Sequence, residues 1–276
     1  MLIASIIIFF VVLVAVVYVF LIMPRVVDSA DMDLLCTDYA HRGLHSSSVP
    51  ENSVPAFELA RDAGYGIELD VQMSSDGQIF VFHDDSLKRM CGIDKKLTQA
   101  SSDELSALFL AGSHERIPLF TDVLKLVDGR VPILIEIKHA PNEIELCKRL
   151  CVILDAYQGA FAVQSFSPQI LEYFKKYRPR FARGQLVTRL GKKQRKEKTA
   201  PKNPIVCFAL THMLTNVLSR PDFISIDGKM LGELAFVLST KVFGSKAFVW
   251  TVRTESQYSV CRKKQLNAIF ENIHPQ

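Results

Sequence analysis

The fold is decided by the stretch GIELDVQ at residues 66–72, in which apolar residues alternate with Glu68 and Asp70. Side chains along a β-strand alternate between two faces, so these two carboxylates point to the same side. Two more apolar runs lead into titratable groups, one at His41-Arg42-Gly43 and the other at His83-Asp84. Apolar runs that end in titratable residues predict parallel strands that bring polar side chains to one common rim. Such a rim could hold a divalent cation between two imidazoles, which suits metal-assisted acid–base chemistry.

Strand-like and helix-like segments alternate through the rest of the chain. The strand candidates are residues 34–40, 66–72, 79–82, 132–138, 161–166, 181–187, 223–227, 247–252 and 268–273, and the helix candidates include 54–63, 142–157, 168–177 and 232–243. This alternation predicts a parallel sheet with helices outside it. About eight such units favour a TIM (β/α)8 barrel. No glycine-rich dinucleotide fingerprint follows the first strand, which disfavours an open doubly wound sheet.

The composition is that of a folded domain. The chain has 276 residues, of which 49% are hydrophobic, and a formal net charge of +4. This length suits one large domain with a substantial core, and the small net charge gives little support to nucleic-acid binding. We therefore expect residues 34–276 to form one barrel. Residues 84–118 are predicted to be a small insertion near the site, because this connection is long and contains a short helical run.

Residues 1–23 are predicted to form a transmembrane anchor. The almost unbroken apolar run at residues 2–23 would give roughly 33 Å of helix, enough to span a bilayer. A secretory signal peptide is the alternative, but no basic residue precedes the run and no small-x-small cleavage site follows it. We therefore expect a single-pass membrane protein. Arg25 and Arg42 follow the span and no basic residue precedes it, which favours a cytoplasmic catalytic domain.

Residues 24–33 are interpreted as a linker to the first strand. Because the start of a barrel strand lies on the face opposite the site, and ten residues reach at most about 35 Å, the mouth is not expected to turn fully to the bilayer. A second membrane contact is predicted at residues 189–202, which carry Lys192, Lys193, Arg195, Lys196, Lys198 and Lys202. With the apolar segment 205–214, this basic loop could press against anionic headgroups. A solvated loop beside an ordinary core helix is the competing interpretation.

Polar side chains are expected at the ends of nearly all the predicted barrel strands. They are His41, Arg42, Glu68, Asp70, His83, Glu136, Lys138, Gln164, Ser165, Asp227 and Trp250. Three carboxylates, Glu68, Asp70 and Glu136, are hard oxygen ligands suited to Mg²⁺ or Ca²⁺ rather than zinc. Arg42 and Lys138 supply cationic donors for phosphate oxygens. Each residue alone has an ordinary structural explanation, but their coincidence on one face favours a functional site.

At these positions the chain resembles the glycerophosphodiester phosphodiesterase family. The match runs through His41-Arg42-Gly43, Pro50-Glu51-Asn52-Ser53, Ala56-Phe57, Glu68-Leu69-Asp70-Val71, Asp76-Gly77, His83-Asp84, Leu87, Arg89, Glu136-Ile137-Lys138, Gln164-Ser165-Phe166 and Trp250-Thr251. The resemblance covers residues 38–252, nearly all of the chain after the apolar run. It implies a TIM barrel with a small insertion after the second histidine motif.

The resemblance also implies an activity, which is the hydrolysis of glycerophosphodiesters to glycerol phosphate and an alcohol. The attacking group would be water or the neighbouring glycerol hydroxyl. The resemblance implies that Glu68, Asp70 and Glu136 are ligands to a divalent cation. It implies that His41 and His83 form an acid–base pair. Substrate contacts are implied for Arg42, Lys138, Gln164 and Trp250.

Three departures from the family pattern bear on the substrate pocket. Ser53 stands where Thr is usual, and Arg253 follows the Trp-Thr pair where Asn is more common. The last strand reads IFEN at residues 269–272 and lacks the expected Thr-Asp. Two alternatives stay open. One is a related phosphodiesterase acting on lysophospholipid or phosphoinositide-like headgroups. The other is a non-catalytic membrane-bound barrel, which would be expected to have lost a histidine or a metal carboxylate.

Overall fold

Eight parallel strands form a closed barrel, as the alternating pattern predicts. The structure is a computed structural model and describes residues 1–25, 30–196 and 200–275. Its strands are β1 (Tyr39–His41), β2 (Gly66–Met73), β3 (Ile79–Val81), β4 (Ile133–Ile137), β5 (Phe161–Ser165), β6 (Ala182–Val187), β7 (Phe223–Asp227), β8 (Lys246–Val252) and β9 (Asn267–Phe270). The order runs β1-β9-β8-β7-β6-β5-β4-β2, and β1 pairs with β2 to close the ring. Below, "rim" denotes the carboxyl ends of the barrel strands with the loops that follow, and "base" the amino ends.

Helices connect the strands on the outside of the barrel. They are α1 (Leu2–Ile22), α2 (Ala30–Leu35), α3 (Val54–Asp62), α4 (Lys88–Cys91), α5 (Ser102–Ser106), α6 (Phe120–Val127), α7 (Glu143–Ala156), α8 (Pro168–Tyr177), α9 (Lys192–Lys196), α10 (Pro204–Thr211), α11 (Asn216–Ser219), α12 (Leu234–Val237) and α13 (Glu255–Lys264). Short 3₁₀ turns lie at Leu97–Gln99 and Gly228–Met230, and a π turn at Leu238–Val242 follows α12. The helix predicted at 232–243 is therefore divided between α12 and this turn.

The barrel interior is filled near the base by apolar side chains. Leu134, Phe223 and Phe248 belong to one buried cluster there. Gly184 makes this packing possible, since a Cβ at that position would lie 1.9 Å from Cε2 of Phe223. A larger cluster joins the outward faces of the strands to the surrounding helices. The interior is therefore a packed core that supports the rim, as in other barrels of this type.

The strand β3 corrects the expectation that every apolar run ending in a titratable group is a parallel barrel strand. It pairs antiparallel with β2, with Val71 opposite Val81 and Met73 opposite Ile79. The two strands form a hairpin that extends beyond the barrel wall and leads to His83. The insertion that follows has its own buried cluster, which includes Phe82, Leu97 and Leu110. This small core places the second histidine over the mouth of the barrel.

The segment before β1 also differs from the prediction. Residues 30–35, which were expected to be linker and the start of the first strand, form α2, and β1 begins only at Tyr39. Met32 and Leu35 of α2 are buried in the cluster at the base of the barrel, which explains the apolar character of this segment. The central part of the predicted linker, residues 26–29, lies outside the described residues.

Candidate active site

A cluster of three carboxylates lies inside the rim. Glu68 and Asp70 project from β2, and Glu136 projects from β4 at the position paired with Asp70. One oxygen from each carboxylate lies within 4.8 Å of the other two. Glu68 and Asp70 are almost completely buried. The same-face alternation of β2 and the parallel register with β4 together produce this arrangement.

Two cationic side chains contact the cluster. The Lys138 Nζ atom lies 2.7 Å from Asp70 Oδ1 and 2.5 Å from Glu136 Oε1. Arg42 approaches Asp70 with its Nε atom at 3.5 Å and donates from its Nη1 atom to Glu51 Oε1 at 2.8 Å. Both residues sit where an anionic group bound beside the carboxylates would meet positive charge.

Backbone and amide donors hold the carboxylates in place. The Arg42 backbone N–H donates to Glu68 Oε2 at 3.1 Å, and the Gln164 amide donates to Glu68 Oε1 at 3.3 Å. The Asn52 amide donates to Asp70 Oδ2 at 2.9 Å. Arg42 has a φ of 58°, and Gly43 beside it has a φ of 78° with its Cα facing Ala56. This left-handed turn lets the backbone of Arg42 approach Glu68.

The charge state of the cluster is uneven. Burial raises the pKa of Glu68 well above its usual value, and the neighbouring Asp70 and Glu136 carboxylates raise it further. Burial opposes ionisation of Asp70 as well, but Lys138, His83 and Arg42 outweigh it and hold the pKa of Asp70 below its usual range. With all three carboxylates ionised, the cluster would carry more negative charge than its two cationic neighbours balance, and Glu68 is the carboxyl group whose ionisation is disfavoured.

The carboxylate cluster fits a hard divalent cation. All three donors are oxygens, which suit Mg²⁺ or Ca²⁺. The buried Oε1 atom of Gln164 and the buried Oδ1 atom of Asn52 have no hydrogen-bond partner. Burial and repulsion by Asp70 and Glu136 both raise the pKa of Glu68, and a bound cation would offset both effects. Glu68, Asp70 and Glu136 are therefore the residues that could hold a cation here.

The first histidine is oriented by a carboxylate from the far end of the chain. The Nδ1 atom of His41 lies 2.6 Å from Oε2 of Glu271, just after β9. Arg253 also binds Glu271, and His45 Nε2 approaches the same oxygen at 3.8 Å. Burial lowers the pKa of His41, while the hydrogen bond to Glu271 works in the opposite direction. A carboxylate on Nδ1 directs the other nitrogen, Nε2, to proton transfer.

The second histidine has a similar partner. The Nδ1 atom of His83 lies 2.7 Å from Oδ1 of Asp84. Arg89 of α4 donates to Asp84 and also to Glu51, which accepts from Arg42. This chain of ion pairs fixes the insertion to the first rim loop. Two imidazole–carboxylate pairs therefore lie at the rim, and the carboxylate cluster lies between the segments that carry them.

An aromatic pair borders the mouth of the barrel. The rings of Phe166 and Trp250 meet edge to face with centroids 5.7 Å apart, and Phe166 is 38% exposed. A cavity of about 460 Å³ beside Trp250 continues between Lys229 and Arg253. Asp227, in contrast, accepts from the Lys229 backbone N–H in a turn and takes no part in the carboxylate cluster.

The structure brings most of the predicted site residues together. Glu68, Asp70, Glu136, Arg42, Lys138 and Gln164 form one contact network, while His41, His83 and Trp250 lie at the rim around it. The sequence analysis predicts no role for Glu271, which stands in the last strand where the chain departs from the family pattern. Its position at the end of a barrel strand was the available signal. Asn52 and Asp84 belong to the matched motifs, which predict no role for either of them.

Solved structures share this fold. A phosphodiesterase from Oleispira antarctica, solved in complex with the product sn-glycerol-3-phosphate, is 23% identical, with a TM-score of 0.69 over 87% of this chain and 94% of that chain. A glycerophosphodiester phosphodiesterase from Thermotoga maritima is 25% identical, with a TM-score of 0.65 over 85% and 94%. Fold and site define the protein as a TIM barrel with an acidic, histidine-flanked centre at its rim.

The family follows from the sequence profile. The Glycerophosphoryl diester phosphodiesterase family matches residues 41–272, and the chain belongs to that family. A glycerophosphodiester phosphodiesterase of Caldanaerobacter subterraneus is 40% identical over 98 residues, which are 33% of this chain and 40% of that protein. This chain spans only 38% to 61% of the length of three curated relatives that it matches, the Caldanaerobacter protein among them.

Proposed function

We propose that this protein hydrolyses glycerophosphodiesters to glycerol phosphate and an alcohol, with a divalent cation bound by Glu68, Asp70 and Glu136. The observation that carries the proposal is the pairing of two oriented imidazoles with one acidic cluster at the same rim. Family membership and the product named in the Oleispira structure support the same reaction.

The two histidines would act as the acid–base pair. His41 and His83 each have Nδ1 fixed by a carboxylate, so that Nε2 of one accepts the proton of the attacking hydroxyl and Nε2 of the other donates to the leaving oxygen. Both imidazoles lie within electrostatic range of Asp70. Their proton-transfer atoms therefore act beside the acidic cluster.

The cationic side chains would bind the phosphate. Negative charge grows on the non-bridging oxygens as the diester reacts, and fixed donors stabilise it. The Nε atom of Arg42 lies 3.5 Å from Asp70 Oδ2 but makes no hydrogen bond, which leaves a donor for a phosphate oxygen. Lys138 is held between Asp70 and Glu136 and contributes its charge at short range. A divalent cation, when bound, supplies Lewis-acid stabilisation of the same charge.

Hydrolysis by the full-length protein in detergent tests this proposal. Glycerophosphocholine is incubated with the protein, and glycerol phosphate and choline are measured before and after treatment with EDTA. We expect hydrolysis that EDTA abolishes and that Mg²⁺ or Ca²⁺ restores. A full-length protein that stays inactive with both cations, while its thermal unfolding remains cooperative, would favour the non-catalytic barrel.

The helix α1 supports a membrane location. It is the one helix among the described residues that is long and apolar enough to cross a bilayer, and nearly all of its side chains are exposed. We propose that it anchors the protein as a single span. Resistance of the full-length protein to carbonate extraction from membranes tests the anchor, and an unchanged mature mass distinguishes it from a cleaved signal sequence.

The aromatic pair at the mouth favours a second substrate class, namely glycerophosphodiesters whose leaving alcohol carries an apolar group. Phe166 and Trp250 offer apolar surface beside the site, and such surface would contact the chain of a lysophospholipid. Glycerophosphocholine, glycerophosphoethanolamine and lysophosphatidylcholine should be assayed side by side. A higher kcat/KM for the lysolipid, lost in Phe166→Ser but not in the exposed control Tyr177→Ser, would assign this preference.

A further inference from the structure

Two histidines near the start of the barrel share one carboxylate. His41 Nδ1 lies 2.6 Å from Glu271 Oε2, and His45 Nε2 lies 3.8 Å from the same oxygen. The ligand atoms of the three residues all lie within 4.8 Å of one another. Their side chains are 13% to 16% exposed, so the group is largely shielded but within reach of a small ion. It is a second group of potential metal ligands, separate from the carboxylate cluster.

The loop that carries His45 is fixed by its backbone. The Leu44 N–H donates to the Ala56 carbonyl at 2.8 Å, and the His45 N–H donates to the Gly43 carbonyl at 3.0 Å. Gly43 makes the turn with a φ of 78°, which glycine adopts without a steric penalty. This tight turn keeps His45 next to the carboxylate that His41, four residues earlier, also contacts.

Glu271 is oriented toward both imidazoles by the contact of its other oxygen. Arg253 Nε donates to Oε1 of Glu271, while Oε2 faces His41 and His45. A partner that holds a carboxylate in this way is a common support of metal ligands. The His45 Nε2 atom is buried and has no hydrogen-bond partner among the described residues. A bound cation would satisfy this nitrogen.

The donor set differs in kind from the carboxylate cluster. Two imidazole nitrogens and one carboxylate oxygen suit Zn²⁺, with water as a fourth ligand, whereas three carboxylates suit Mg²⁺ or Ca²⁺. Ligands about 2.0–2.1 Å from a tetrahedral zinc ion lie roughly 3.3 Å from one another. The separations of 2.6 Å and 3.8 Å each differ from that spacing by less than about 1 Å. Small side-chain movements would therefore accommodate the ion.

Few other places in the described part of the chain could compete for such an ion. Within residues 1–25, 30–196 and 200–275, groups of three metal-ligating side chains close enough to share an ion are limited to the carboxylate cluster and this one. The basic loop predicted to contact the membrane, residues 189–202, includes no member of either group, and its Lys198 lies outside the described residues. The group at His41 is therefore the one with nitrogen donors.

We propose that His41, His45 and Glu271 bind Zn²⁺ and that the bound ion inhibits hydrolysis. Zn²⁺ would occupy the Nδ1 lone pair of His41, so that the single proton of the neutral ring resides on Nε2. Nε2 then has no lone pair to accept the proton of the attacking hydroxyl, and the ring cannot become the imidazolium that protonates a leaving oxygen. The zinc site does not depend on the proposed function, but the inhibition rests on the acid–base role of His41.

Glu271 would thus act in two states of the protein. Without zinc its carboxylate orients the His41 imidazole, and with zinc both residues are ligands of the ion. Mg²⁺ bound by the carboxylate cluster uses other residues, so it should not displace the zinc. Zinc inhibition that excess Mg²⁺ does not reverse therefore distinguishes this site from competition between ions at the carboxylate cluster.

Zinc binding to the full-length protein in detergent tests the site without an assay of activity. The protein is treated with EDTA, freed of the chelator and supplied with excess Mg²⁺. Its affinity for Zn²⁺ is then measured by competition with a chromophoric chelator. The ligand variants are His45→Gln and Glu271→Gln. Glu68→Gln alters the carboxylate cluster, and His139→Gln alters a histidine whose side chain is 77% exposed.

We expect the affinity for Zn²⁺ to fall by about 10-fold or more in both ligand variants and to be unchanged in Glu68→Gln and His139→Gln. Thermal unfolding shows that each variant is folded, and two ligand variants are used so that misfolding of one leaves the other as a test. An affinity that is the same in the ligand variants as in the parent, or that is lost in Glu68→Gln, would overturn the site.

Hydrolysis of glycerophosphocholine in saturating Mg²⁺ tests the inhibition. We expect Zn²⁺ to inhibit the parent protein, and the Zn²⁺ concentration for half inhibition to rise by about 10-fold or more in His45→Gln. Unchanged hydrolysis by the zinc-loaded parent would overturn the inhibition. If the parent binds Zn²⁺ as expected but hydrolyses nothing with Mg²⁺ or Ca²⁺, the proposed hydrolysis and its inhibition are both wrong and the zinc site stands.

Discussion

Glu271 Oε2 lies 2.6 Å from Nδ1 of His41, although 230 residues separate them in the chain. The two residues meet because β1 and β9 are neighbours in the closed barrel. Glu271 also binds Arg253, and despite partial burial its hydrogen bonds with His41 and Arg253, together with the nearby His45, hold its pKa below the usual range. The carboxylate is therefore ionised at neutral pH and can hold the imidazole in one tautomer and orientation.

Replacement of this carboxylate should change both the rate and its pH profile. In Glu271→Gln we expect kcat to fall by about 10- to 100-fold, as is common when a residue that orients a functional histidine is lost. Because the bond from Glu271 favours the charged imidazole, its loss should lower the pKa of His41 further below 6.5. The limb of the kcat/KM profile that His41 controls should move to lower pH.

The matched control for this change is Glu255→Gln, which alters an exposed carboxylate at the start of α13. It should leave both the rate and the profile as they are. If Glu271→Gln lowers kcat but does not shift the pH profile of kcat/KM, then Glu271 acts only in packing.

Removal of either imidazole should remove most of the activity. We expect His41→Ala and His83→Ala each to lower kcat by about 10²- to 10⁴-fold, the usual range for a lost general acid or base. His139→Ala is the control, because the His139 side chain is 77% exposed although it follows Lys138 directly. Full activity in a purified His41 or His83 variant would defeat the assignment of the pair.

Cation binding should be visible in thermal unfolding without any assay of activity. At a cation concentration of 100 Kd the folded state gains about 2.7 kcal/mol, which corresponds to a rise in Tm of roughly 5–10 °C for a barrel of this size. Glu68→Gln should lose most of this rise. Its Tm without cation should be equal to or above that of the parent, because the raised pKa of Glu68 shows that its charged form is unfavourable there.

The control for cation binding is Asp94→Asn, since that side chain is 82% exposed in the insertion. This variant should keep the full rise in Tm. If Mg²⁺ and Ca²⁺ both stabilise Glu68→Gln as much as the parent protein, the cation lies elsewhere.

The close approach of Gly184 to Phe223 should make the barrel interior intolerant of a single added methyl group. A Cβ at Gly184 would lie 1.9 Å from the Phe223 ring, so Gly184→Ala should lower the free energy of unfolding by about 1–3 kcal/mol, the usual range for overpacking. Gly232→Ala is the matched control, because nothing lies within 4 Å of its Cβ position. Denaturant unfolding measures both, and equal stability of the two variants would contradict the packing described for the interior.

The barrel could be predicted from the sequence because the pattern that identifies each strand lies within that strand. Alternation along β2 placed Glu68 and Asp70 on one face, and the same rule applied to Glu136 on β4 and Lys138 just after it. The eight parallel strands are confirmed. The antiparallel pairing of β3 could not be read from residues 79–82, since a short apolar run has the same pattern in either direction.

The relationships that the sequence could not give depend on closure of the barrel. The pairing of His41 with Glu271 needs the register of β1 against β9, and nothing near either residue specifies it. The binding of the carboxyl end of α1 to the barrel depends on contacts with Arg220 and Asn216, about 200 residues further on. Hydropathy identified the helix, but hydropathy carries no information on where its end is bound.

The pairing of β1 with β9 also has a consequence for biosynthesis. The strand β9, which completes the barrel, leaves the ribosome about 230 residues after β1. At roughly 5–20 residues per second, this interval lasts about 10–45 s. The nascent chain would spend that time as an incomplete sheet with two unpaired edges. His41 would gain its carboxylate partner only after Glu271 has been synthesised, so the nascent chain would lack an oriented first histidine until the barrel is complete.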